Sequence, residues 1–164
     1  MRKLLIGGVL AALTVALSAC GGSSSSSASE QAQQRQLDVY AIGQIERSFH
    51  ESTSKKDIDE MMSLWTANAT FTYGPGQTAT GKKQIRQTWL NSTAWKPSTH
   101  WSADHPAYKL RVTVNGDRGT LHFECHFINV DTGAVAAVTA GDFDVARIDG
   151  RWLITKMVGS TAEL

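Results

Sequence analysis

Between positions 121 and 127 the chain alternates with a period of two. Leu121, Phe123, Cys125 and Phe127 are apolar, and His122, Glu124 and His126 between them are polar. Successive side chains of an extended strand point to opposite faces, so this pattern demands a strand with one dry face and one wet face. The preceding stretch repeats it on even positions, with Tyr108, Leu110, Val112 and Val114 opposed to Lys109, Arg111 and Thr113. The following stretch sets Phe143 and Val145 against Asp142 and Asp144. Asn115-Gly116, the segment 131–133 and Asp149-Gly150 are turn signals between these runs. Four antiparallel strands are expected, over 100–114, 118–130, 134–148 and 151–158. Together they make a sheet whose apolar face must be covered.

The cover lies upstream. Leu37, Ala41, Ile45 and Phe49 recur at intervals of four, a helical stripe expected to end near 52–54. Asp57 is placed to cap a second helix whose buried side is Ile58, Met61, Met62 and Trp65. A short strand over 69–73 stops at Gly74-Pro75-Gly76, and a third helix over 81–90 puts Ile85 and Trp89 one turn apart. Three helices followed by a meander of strands predict an α+β domain over 37–164, its curved, mainly antiparallel sheet wrapping the helices into a cone.

Charge narrows the function classes. The chain has 16 Lys+Arg and 15 Asp+Glu; without Arg2 and Lys3 the balance is 14 basic against 15 acidic, a net −1. Adjacent basic residues occur only at Lys55-Lys56 and Lys82-Lys83 beyond the start, so nothing here resembles the clustered cations that nucleic-acid binding requires. Of two cysteines, Cys20 sits near the start and Cys125 on the dry face of a strand, where burial predicts an inert thiol.

Arg2 and Lys3, the apolar run 4–16, and Leu17-Ser18-Ala19-Cys20 resemble a bacterial lipoprotein signal. The apolar run is shorter than the ~20 residues a bilayer span requires. This resemblance implies a leader over 1–19, lipidation (palmitate) at Cys20, and an exported protein anchored to a bacterial membrane on its periplasmic or cell-surface side. The Ser-, Gly- and Gln-rich segment 20–36 is expected to be a flexible tether reaching about 20 Å by random-coil statistics.

The order of elements resembles the nuclear transport factor 2-like superfamily, in particular its SnoaL-like branch. Three segments carry the likeness: 80–85 opening the third helix, 114–119 at the first hairpin, and 147–154 at the last. The resemblance implies a cystatin-like α+β barrel. It also implies a family that includes polyketide cyclases, ring dehydratases and steroid isomerases, which move protons with a His or carboxylate inside an apolar cone. His100 roughly matches a functional histidine of such proteins, and Asp104 is the candidate carboxylate beside it. Tyr40 and Tyr73 are candidate hydroxyls and Arg147 a candidate cation. Dimerisation through the outer sheet face is common in the superfamily and is a further expectation.

Two constellations remain. His122-x-Glu124-x-His126 has the composition of a metal site, but residues four apart on a strand lie roughly 13 Å apart, too far for two histidines to share one ion at ~2.0–2.2 Å. No metal and no cofactor is expected. Tyr40, Trp65, Tyr73, Trp89, Trp101, Phe123 and Phe143 are expected to gather in the cone as the wall of a site for a small hydrophobic ligand. The reading is a tethered binding domain that does no catalysis. Its alternative is an isomerase or dehydratase, or a cyclase-like enzyme, using His100 and Asp104.

Overall fold

Asp57 begins the second helix as its sequence requires: its carboxylate accepts the Glu60 backbone N–H at 2.9 Å, satisfying one of the helix's orphan donors. The computed structural model describes residues 23–104 and 106–164, with the side chains of 23–26 left out. The expected leader and Cys20 lie outside the described residues. Helices α1 (Ser23–Lys55), α2 (Ile58–Ser63) and α3 (Gly81–Asn91) alternate with the first strands, β1 (Trp65–Gly74) and β2 (Gln77–Thr80). A 3-10 turn, Thr93–Trp95, leads to β3 (Trp101–Ala103), β4 (Lys109–Asn115), β5 (Arg118–Asn129), β6 (Val135–Ile148) and β7 (Arg151–Glu163).

The sheet runs β2-β1-β7-β6-β5, with β3 and β4 both paired to β5. Every pairing is antiparallel except β1 with β7, which is parallel. The sheet curves around the helices but stays open, ending at β2 on one side and at β3 and β4 on the other, so it is not a closed barrel. Curvature comes partly from a bulge: Val145 pairs Ile154 and Asp144 pairs Lys156, leaving Thr155 extra.

The alternation in β5 and β6 holds. Leu121, Phe123, Cys125, Phe127, Phe143 and Val145 are buried, and their polar neighbours face outward. Besides β1, which begins at Trp65 rather than 69 and so takes Trp65 out of the second helix, and the unexpected β2, three boundaries differ from expectation. First, α1 does not begin near 37 but runs from Ser23, so the described part of the expected coil, 23–36, is helix. Extending a helix costs far less than nucleating one, so the packed turns from Asp38 onward let the Gln- and Ala-containing stretch before them continue the coil. Residues 27–37 remain exposed throughout. The buried stripe is shifted as well: Ile42, Ile45 and Phe49 are inside, whereas Leu37 is 55% exposed.

Second, the expected strand over 100–114 is broken. Ala103 pairs Phe127 and Lys109 pairs Glu124, so this side advances six residues while β5 advances three. Pro106 has no N–H to give the ladder, and the looped-out residues change which parity faces inward. In β3 the odd positions Trp101 and Ala103 face the core; in β4 the even positions Val112 and Val114 do. Tyr108, expected inside, precedes β4 and lies out on the polar face against Glu124 and His126, and Leu110, expected beside it, is exposed as well. Third, β7 continues beyond 158 to Glu163.

Gly141 in β6 is required by close approach. A Cβ there would meet the Phe123 ring, with Cζ at 2.8 Å. Gly141→Ala is expected to lower stability by about 1–3 kcal/mol through overpacking, read as a fall in the urea midpoint without a change in slope.

Candidate functional site

Where α3 and the 3-10 turn close over the ends of β1, β5, β6 and β7, the domain encloses a cavity of about 570 Å³. Its walls are aromatic. Phe71 and Trp89 stack at 4.9 Å and 10°, Phe49 meets Trp89 edge-on at 5.3 Å, and Trp101 stacks on Phe127 at 5.7 Å. Polar lining comes from neutral side chains, among them Gln84, Gln87, Asn91 and Thr93. The strand ends add Ser160, Thr161 and one carboxylate, Glu163. These last residues escaped the sequence reading because 159–163 has neither alternation nor bulk to mark it as strand.

Three of the seven expected ligand-contacting aromatics, Tyr73, Trp89 and Trp101, line this cavity. Trp65, Phe123 and Phe143 do not; they are 0%, 0% and 1% exposed and fill the core of the cone. Tyr40 is 66% exposed and borders a separate depression of about 320 Å³, beside Glu46 and Leu110. The inner cone is thus packed solid with rings, and the open space is displaced to one end.

The structure does not bring His100 and Asp104 together. His100 is exposed, with Nδ1 2.8 Å from Asp131 Oδ2. Asp104 turns to His126: Oδ1 accepts the His126 backbone N–H at 2.8 Å, and Oδ2 lies 3.1 Å from His126 Nδ1. Neither residue lines the cavity. They flank β3 on the parity opposite to the inward Trp101 and Ala103, and so turn away from the core. Arg147 is also outside the cavity, bridging Asp38 and Asp117 at 2.6 and 2.9 Å with its guanidinium over Trp152.

The outer sheet face carries a polar network. His122 Nδ1 lies 2.8 Å from Asp142 and its Nε2 3.2 Å from Glu124, while Glu124 also accepts from Lys109 and from the Tyr108 hydroxyl at 3.1 Å. Tyr108 stacks on His126 at 4.5 Å. The bond from Lys109, then those from His122 and Tyr108, hold the Glu124 carboxyl well below its usual 4.5, at about 2. A folded-state value below the unfolded one means that the stabilisation is present above pH 4.5 and is lost as pH falls toward 2. Glu124→Gln is therefore expected to reduce the loss of stability between those two values, measured by thermal melts across that window. Among the described residues no group of three or more His, Cys, Asp or Glu converges as a metal site.

One buried constellation was not foreseen. Glu46 Oε1 lies 2.6 Å from His50 Nδ1, and His50 Nε2 lies 3.1 Å from Cys125 Sγ, with all three residues at most 2% exposed. With the proton on Nδ1, His50 donates to the Glu46 carboxylate and Nε2 accepts from the thiol. Burial, reinforced by the negative charges of Asp104 and Glu46, pushes the Cys125 thiol far up, which keeps it protonated for that role. Glu46 and His50 are four apart on the same helix face as Ile42 and Phe49, a spacing that was available in the sequence.

Helices laid on an open, strongly curved antiparallel sheet, with a cavity at one end, define the architecture against which relatives can be compared. A family model described as a SnoaL-like domain matches residues 34–158. The chain belongs to the SnoaL-like domain family. No curated protein matches it. An NTF2-like protein with a cystatin-like fold from Novosphingobium aromaticivorans superposes with a TM-score of 0.67 at 18% identity, covering 81% of this chain and 88% of that one. A putative dehydratase of the NTF2-like family from Streptomyces avermitilis gives 0.60 at 14%, covering 79% and 99%. A ketosteroid isomerase-like protein from Erwinia carotovora atroseptica gives 0.59 at 16%, covering 77% and 98%. At such identities the likeness is one of fold. Among the described residues of this SnoaL-like domain, no helix is long and apolar enough to cross a membrane.

Proposed function

We propose that this SnoaL-like domain is a binding module, held at a bacterial membrane through lipidated Cys20, whose cavity takes up a small, largely apolar ring-bearing molecule. The observation that carries this reading is the cavity wall: stacked aromatic pairs, neutral hydroxyls and amides, and, among the described residues, no imidazole within it. Such a wall recognises flat apolar bodies by contact area and gives a proton-transfer reaction few groups to use. The helical stretch 23–36 would serve as a spacer of about 21 Å at 1.5 Å per residue. The outer sheet network offers a surface on which two copies can pair.

The test is native mass spectrometry of the lipidated chain purified from its own host, with 2-naphthylmethanol as a fluorescence probe. A co-purified small molecule, and probe binding weakened at least tenfold by Trp89→Ala, are the expected results. A wild-type cavity that carries nothing and leaves the probe unbound overturns the reading. Cys20→Ala should move the protein from membrane to soluble fractions.

A second reading is an isomerase or dehydratase, as the printed names of two structural neighbours have it for those proteins. With His100 and Asp104 apart, what favours it here is the Glu46–His50 pair behind Phe49 and Thr53, both of which line the cavity. It requires that a bound molecule be converted on incubation and that His50→Gln stop the conversion while binding persists.

A further inference from the structure

The charge of the cavity has a definite sign. Among the described residues its lining contains no Lys, Arg or His and one carboxylate, Glu163, at the end of β7. The strand register sets Glu163 opposite Ala137, which has no group to pair with it, and no salt bridge neutralises it among the described residues. Lys56 is close by in the fold, but it is not part of the lining: its ammonium donates to the Ala94 carbonyl. An anionic ligand would be stripped of water against a wall whose described residues offer no cation to receive it, an unfavourable burial when unpaired. A cation meets neutral hydroxyls and amides inside and the exposed Glu163 carboxylate where β7 ends.

Resting on the binding-site reading above, we infer that the cavity selects an organic cation: a protonated amine joined to a flat apolar body, with Glu163 setting the preference. Carboxylates of the same shape are rejected.

Three probes of one shape separate the possibilities: 2-naphthylmethylamine, 2-naphthylmethanol and 2-naphthoate, titrated at pH 7 against tryptophan fluorescence. The amine is expected to bind about threefold more tightly than the alcohol, the scale an exposed carboxylate contributes, and the naphthoate at least threefold more weakly. Glu163→Gln should collapse the amine-to-alcohol ratio toward one, and raising the salt to about 0.5 M should narrow it. If all three bind alike, if naphthoate binds best, or if the ratio survives Glu163→Gln, the charge inference falls while the binding site stands. If none binds, both fall.

Discussion

Replacing His50 by Ala is expected to lower the folding free energy by about 3–5 kcal/mol, the range found when one partner of a buried pair is removed. Two effects add. The Glu46 carboxylate, on a residue 2% exposed, loses the donor 2.6 Å away and stays in the core without it. The imidazole also packs edge-on against Phe49 at 5.4 Å and Phe123 at 4.6 Å, so truncation leaves a void among rings. Urea unfolding of wild type, His50→Ala, Glu46→Gln and the double variant completes a cycle. A coupling of about 1–3 kcal/mol is expected, because the double variant no longer strands a charge. A loss under 1 kcal/mol in His50→Ala would mean that water reaches Glu46.

Asp38→Ala should be nearly as damaging, at about 2–4 kcal/mol. Asp38 is 5% exposed and receives Arg147 at 2.6 Å, Gln34 at 3.0 Å and the Trp152 indole at 3.4 Å, tying α1 to the β6–β7 hairpin. The cost is below the top of the buried-pair range because Arg147 keeps Asp117. Burial alone would raise the Asp38 carboxyl, but the bonds from Arg147, Gln34 and Trp152 outweigh it and hold it below the ordinary value of 3.8. A depressed folded-state value contributes stability above the unfolded value, so the gap between wild type and Asp38→Asn should be full above about pH 4 and close as pH falls below it. Equal urea midpoints at pH 7 would show that the hairpin is held without this staple.

Much of the architecture could be read from local pattern. Period two in 121–127 and the turn dipeptides identified strands and their buried face, because a one-residue slip would expose every phenylalanine of the face at once. The site was less legible, and particular residues show why. Trp65 and Trp89 look equivalent in sequence, yet Trp65 is sealed in the core and Trp89 faces the cavity; only the position of α3 over β1 separates them. His100 and Asp104 seemed to share the face of Leu110 until Pro106 looped the chain out. Glu163 lies past 158, where the last strand was expected to end, and is a lining residue because β7 pairs with β6 to its end.

Sequence alone determined the α+β class, the SnoaL-like order of elements and the inward ladder of Leu121, Phe123, Cys125 and Phe127. Those follow from interactions between residues a few positions apart, where side-chain periodicity acts. Tertiary structure alone decided that the cone is filled, that the cavity opens at one end, and that Glu46, His50 and Cys125 meet inside. Each of these is a contact between distant segments, governed by how tightly volumes and buried polar groups must match, and no local pattern encodes that.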